Sequence, residues 1–109
     1  MAKIFSEAMV NRRIALLRRE SGWSLEDFSE LLGVSKTSFN NYEKDKQSPG
    51  CHFFIKAQAV FGGSVVAWLL GDGDDKDIAR FNIRRIADTF NRKEAIRTLR
   101  SKTFSERFT

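Results

Sequence analysis

Apolar side chains recur along this chain at three- and four-residue steps, and glycine, serine or the single proline interrupts them at short intervals. That spacing predicts a series of short amphipathic helices. In NRRIALLRRES, residues 11–21, Ile14, Ala15 and Leu17 form the apolar stripe with arginines elsewhere, and Gly22 is placed to stop the helix in the left-handed conformation. Phe5, Met9 and Val10 allow an earlier start. Ser24-Leu-Glu-Asp27 has the form of a capping box and puts acids at the positive end of a second helix, which runs to about Leu32. Gly33-Val34-Ser35 predicts a tight turn: Gly33 tolerates positive φ, and Ser35 can cap a third helix from about Lys36 to Lys44. Ser48-Pro49 reads as N-cap and first position of a fourth helix, which carries Phe53, Phe54, Ala57, Val60 and Phe61 and stops at Gly62-Gly63. Ser64 is then expected to cap a short fifth helix, VVAWLLG, closed by Gly71.

Beyond it lies GDGDDKD, residues 71–77, which reads as an acidic linker because its four aspartates cannot be buried without partners. A calcium loop is not expected there, since Lys76 stands where an oxygen ligand is needed and no glycine follows at the sharp turn. The carboxylates instead supply favourable charge at the start of the next helix. From Ile78 onward, Ile78, Phe81, Ile86, Ala87 and Phe90 predict a sixth, amphipathic helix with arginines on its other flank. A helical pattern resumes from Lys93 to Arg100, and Phe104 and Phe108 sit in a basic tail.

Composition agrees with an all-α fold: 109 residues suit one domain plus an appendage, and one Pro and seven Gly leave little material for a turn-rich β architecture. One cysteine, Cys51, and one histidine, His52, exclude an internal disulfide and a typical zinc site. As sequence neighbours without an orienting third group they make a poor catalytic pair, so a core thiol beside a surface imidazole is expected, with no catalytic site, metal or cofactor. No segment approaches the roughly 18 uncharged apolar residues of a membrane span, and the expectation is a soluble, cytoplasmic protein.

Charge divides the chain. Residues 1–75 hold nine Lys/Arg against ten Asp/Glu, net −1, whereas residues 76–109 hold ten against four, net +6. The basic third suits a polyanion or an acidic partner, or is a solvated helix face rich in arginine.

The third helix is unusual in its polar side chains. At 100° per residue, Ser35, Tyr42 and Glu43 fall within about 60° of Phe39, while Thr37, Asn40, Asn41 and Lys44 gather on the opposite face. That face has no acid and no large apolar group. It offers hydroxyl, carboxamide and ammonium groups that can bond base edges or phosphates in a major groove. A merely solvated helix would do better with Glu, Gln or Lys than with Thr37, Ser38, Asn40 and Asn41.

Helix two, the Gly-Val-Ser turn and helix three have the helix-turn-helix arrangement. Residues 11–71, through RIALLRRESGWSLEDFSELLGVSKTSFNNYEKDKQSP and the closing VVAWLLG, resemble the lambda-repressor-like (Cro/cI, XRE-type) helix-turn-helix DNA-binding family. The resemblance implies a five-helix DNA-binding domain over residues 1–71 that binds operator DNA as a dimer; the acidic linker at 72–77 and the additional basic helical extension at 78–109 lie outside the family domain. It further implies that Lys36, Thr37 and Asn41, with Asn40 beside them, contact bases; that Ser24, Ser38, Lys44 and Lys46 hold phosphates; and that Arg18 and Glu43 form a structural ion pair. Three positions depart from the family pattern. Leu25 stands where a phosphate-contacting Gln is usual, Ser29 where Ala is usual, and Asp45 replaces a Gly after helix three and brings a carboxylate near DNA.

The functional expectation is a sequence-specific transcriptional regulator, most simply a phage or bacterial repressor on a palindromic operator. The extension is expected to dimerise through Ile78, Phe81, Ile86 and Phe90, or to complete one monomer's core. Two alternatives remain open: an antitoxin-type module whose basic tail neutralises a protein partner while the helix-turn-helix autoregulates, and RNA binding by the tail arginines.

Overall fold

The computed structural model describes residues 6–91. It is all-helical there: α1 Glu7–Ser21, α2 Leu25–Leu31, α3 Lys36–Glu43, α4 Cys51–Phe61, α5 Gly63–Leu69, a 3-10 helix Asp75–Phe81, and helical backbone over 83–91, here α6. Phe5, the helix expected over 93–100, and Phe104 and Phe108 lie outside the described residues.

Local chemistry accounts for the first three helices. Ser6, Ser24 and Ser35 cap α1, α2 and α3, their hydroxyls accepting the amides of Met9, Asp27 and Ser38 at 3.3, 3.1 and 3.0 Å. Each cap satisfies an amide the helix cannot, a contribution of about 1 kcal/mol. Gly22 ends α1 at φ 75° with its amide on the Arg19 carbonyl, and Gly33 makes the α2–α3 turn at φ 69°.

The apolar stripes meet in one core around Ile14, Leu17, Phe28, Leu32, Phe39, Phe53, Trp68 and Leu69, all fully buried. Phe28 meets Phe39 edge-on at 5.6 Å, and Tyr42 meets Phe53 in the same manner at 5.8 Å. Each buried side chain of this size contributes about 1.5–3 kcal/mol, and the edge-to-face geometry adds to that.

Four local expectations are corrected. Helix α4 begins at Cys51 with Gly50 as N-cap, so Ser48-Pro49 lies ahead of the helix; the Gln47 carbonyl is held by Asn11 Nδ2 at 3.2 Å, and the chain reaches helical geometry only later. Gly62, at φ 93°, precedes α5, and Ser64 sits inside its first turn. The apolar run from Ile78 is not one helix: Asn82 is left-handed at φ 55°, separating the 3-10 helix from α6. Cys51 is exposed, not a core thiol.

The acidic stretch before the 3-10 helix is fastened to α1. Arg13, only 3% exposed, donates from Nη1 to the carbonyls of Trp68 at 2.5 Å and Asp72 at 2.9 Å, and from Nη2 to that of Gly73 at 2.7 Å. Its Nε reaches Asp75 Oδ1 at 2.9 Å, and its guanidinium lies 5.0 Å over the Trp68 ring. A buried charge is tolerated because its donors are satisfied. Arg12 binds the same Asp75 at 2.8 and 3.3 Å, and this hydrogen bond holds the Asp75 carboxyl below its ordinary range. Asp74 and Asp77 close a reciprocal capping box at the head of the 3-10 helix. Ile78 and Ile83 then enter the core, and Phe81 packs at 6.4 Å from Trp68.

Candidate nucleic-acid interface

Helix α3 packs on both α1 and α2, and Phe28, Leu32, Phe39 and Tyr42 enter the shared core. Burying Phe39 and Tyr42 turns the remaining positions of α3 outward. Lys36 and Thr37 are exposed, Asn40 and Asn41 half-buried at the base of the same face, and Asn41 Nδ2 lies 3.4 Å from Gln47 Oε1. Burial also raises the Tyr42 phenol above its ordinary pKa.

The polar flank is built from both ends of the two-helix unit. Ser24 is exposed at the head of α2, where its oxygen accepts the Asp27 amide and its own O–H remains able to donate. Ser38 is half-buried in the first turn of α3, and Lys44 and Lys46 are exposed just beyond its end. Leu25 is partly buried against the core, and Ser29 is fully buried with its hydroxyl donating to the Glu26 carbonyl at 2.9 Å.

Two carboxylates lie close to this face, and α1 holds both. Glu43 accepts from Arg18 Nε and Nη2 at 2.5 and 3.0 Å, a bidentate pair that raises the guanidinium above its ordinary pKa. Arg18 Nη1 also reaches the Trp23 carbonyl at 3.3 Å, tying α1 to the head of α2. Asp45 stands left-handed at φ 58° and accepts from Asn11 Nδ2 at 2.8 Å. The same amide group bonds the Gln47 carbonyl, and the Lys46 amide closes on the Asn41 carbonyl at 2.8 Å. The turn that carries Lys44 and Lys46 is therefore anchored on both sides of Asp45.

Asn11 is 2% exposed, and it escaped sequence reasoning as a positioning residue because a single Asn at a helix start looks like a cap or a surface residue. Its partner Asp45 could have been suspected, since a carboxylate in a left-handed turn position next to two lysines calls for a donor. All four extension residues meet this chain's own core: Ile78 is buried in it and Phe81, Ile86 and Phe90 pack partly buried against it, Ile86 and Phe90 also lining a shallow cavity of about 360 Å³ with Ala59 and Val60.

A capped short helix, a glycine turn and a second helix presenting an acid-free polar face define a helix-turn-helix domain. Residues 11–72 match the helix-turn-helix domain family model, and the chain belongs to this lambda-repressor-like, XRE-type family. It is 34% identical over 70 residues to the HTH-type transcriptional regulator SinR of Bacillus licheniformis, a match covering 63% of this chain and 62% of that protein. Against the SinR of Bacillus subtilis (strain 168) it is 36% identical over 58 residues, covering 52% of each chain. The matched region thus spans between half and two thirds of these relatives. No solved structure matches. Among the described residues no helix is long and apolar enough to cross a membrane, and no group of His, Cys, Asp and Glu could hold a metal ion.

Proposed function

We propose that this chain is a sequence-specific transcriptional regulator, most simply a repressor, that reads duplex DNA with α3 in the major groove. The observation that carries this reading is the treatment of charge around α3. Its outward face offers Lys36, Thr37, Asn40 and Asn41, and the two nearest carboxylates, Glu43 and Asp45, are both bonded to α1. A phosphate backbone approaching such a surface meets Glu43 neutralised by Arg18, and Asp45, which keeps its charge, held back on the Asn11 amide between Lys44 and Lys46. Carboxamides suit adenine, and the lysine ammonium suits guanine. Ser24, Ser38, Lys44 and Lys46 flank the reading residues and would set register on the backbone.

Repression requires only occupancy of a promoter, and a palindromic operator bound by a dimer is the simplest geometry, with half-sites one helical turn apart. Ile78 is buried in the monomer core and Phe81, Ile86 and Phe90 pack against it, and of these Ile86, beside the shallow cavity with Ala59 and Val60, is the residue we assign to the dimer contact. The test is selection of bound sites from random duplex DNA by the full chain, then affinity measurements on the enriched site. An enriched palindrome is expected, and replacing Thr37 and Asn41 by Ala should cost about 1–3 kcal/mol per contact on that site and little on random DNA. Equal losses on both would refute base reading by α3. Sedimentation of Ile86→Glu against wild type checks the dimer contact, with a monomer expected.

A further inference from the structure

A groove of about 740 Å³ runs between the head of α2 and α6, on the flank of the molecule set by Trp23. Its apolar lining is Trp23, Leu31 and Phe90, and its acidic lining is Asp27, Glu30 and Asp88. Asp88 accepts the Trp23 indole N–H at 2.8 Å, which pins the two walls together. Asp27 and Glu30 are exposed, and their carboxylates have no cationic partner among the described residues. The one lysine in the lining, Lys56, points its ammonium over the Phe90 ring at 5.8 Å. The lining carries three carboxylates against Lys56 and the Arg84 guanidinium that lies beside Gly22, so the groove is a net-negative, aromatic-lined channel, and Ser24 at its rim joins it to the face proposed for DNA.

Such a channel fits a basic segment with interspersed apolar side chains. Lysine and arginine bring the opposite charge, aromatic faces bind guanidinium groups, and the floor covers apolar side chains. This chain contains such a segment. Residues 92–109 hold six Lys/Arg against two Glu, net +4, together with Ile96, Leu99, Phe104 and Phe108. It begins immediately after Asn91, which itself lines the groove. Tethering at the groove's own edge raises the local concentration of the segment to about the millimolar range, so individually weak contacts suffice.

We propose that residues 92–109 dock in cis in the groove between α2 and α6, their cationic side chains facing Asp27, Glu30 and Asp88. Docking would keep a strongly basic segment from binding nucleic acid without regard to sequence, leaving discrimination to α3.

The test uses the full chain and chymotryptic cleavage after Phe104, followed by mass spectrometry, with circular dichroism confirming the fold of each variant. Cleavage of a docked segment tracks its open population. Two or three exposed charge pairs together correspond to roughly a three- to tenfold change in that population. Asp27→Lys with Glu30→Lys should therefore speed cleavage by about that factor, as should Arg97→Glu with Arg100→Glu. Combining the two reversals should return the rate toward wild type, and added salt should speed wild-type cleavage. Unchanged rates in both double variants, or no recovery in their combination, would overturn the proposal. Protection that disappears on dilution would place the segment of a second copy in the groove and overturn docking in cis. None of these readouts involves DNA, so they stand or fall apart from the regulator reading.

Discussion

Asp45 offers the sharpest test of the interface, because two physical effects there predict opposite signs. If its carboxylate chiefly repels DNA, removing the charge should tighten binding. A phosphate about 8 Å away interacts with it by roughly 0.5 kcal/mol in water, and screening at physiological salt leaves about 0.2 kcal/mol. If its hydrogen bond to Asn11 chiefly holds the 44–47 turn, removal should loosen Lys44 and Lys46 and weaken binding. Asn11 is 2% exposed and its Oδ1 already has no hydrogen-bond partner among the described residues, so stripping Asp45 Oδ1 from Nδ2 deepens an existing deficit. A buried donor left without its partner costs about 1–3 kcal/mol, several times the screened repulsion. Asp45→Ala is therefore expected to lower stability by that amount and to weaken DNA binding although it removes a negative charge. Asp45→Asn keeps an acceptor for Asn11 and a residue that tolerates φ 58°, and it should bind DNA as well as or better than wild type. Asp45→Gly relieves the left-handed strain while losing the acceptor, so its stability should fall about 1 kcal/mol less than that of Asp45→Ala. Urea unfolding and DNA titration over a range of salt separate the two quantities. Tighter binding by Asp45→Ala, or equal unfolding midpoints for the Ala and Asn variants, would refute the latch.

Three further outcomes follow from contacts elsewhere. The Asp75 carboxyl is held below its ordinary pKa by Arg12 first, so the stability it contributes is present above about pH 4 and is lost as pH falls through the lowered folded value. Thermal midpoints between pH 6 and 2 should fall less steeply for Asp75→Asn than for wild type, with a difference below about 1 kcal/mol because the side chain is 39% exposed. Gly22→Ala places a Cβ 2.5 Å from Arg84 Nη2 at φ 75°, and it should lower stability by about 1–2 kcal/mol in calorimetry, the left-handed backbone being the larger part because the arginine can move. Arg13→Met leaves the carbonyls of Trp68, Asp72 and Gly73 without their donor, and a loss above about 3 kcal/mol is expected in urea unfolding.

What could be read from the chain followed the range of the interactions responsible. Ser24, Ser35, Gly22 and Gly33 act within a turn of themselves, and the helices they bound, including the polar face of α3, were visible in the residue pattern. The start of α4 was not, because the path from Asp45 to Gly50 answers to Asn11, more than thirty residues earlier. The break at Asn82 was missed for a similar reason. The 3-10 geometry ahead of it is fastened to α1 through Arg12 and Arg13, and periodicity alone continued the helix across it. Arg13 itself was counted among the polar flank of α1, since no local signal separates a buried arginine from an exposed one.

That arginine also has a bearing on anyone who would transplant this helix-turn-helix domain. Chimeric regulators are assembled by cutting between a DNA-binding segment and whatever follows, and the family match would place the scissors at residue 72. Arg13 binds on both sides of that point, to Trp68 and Asp72 before it and to Gly73 and Asp75 after it. A graft joined at 72 would carry a half-empty socket at its seam, whereas one extended through Phe81 keeps the socket whole and brings the Phe81 ring that closes over Trp68. The transferable module is accordingly longer than the stretch the family model matches.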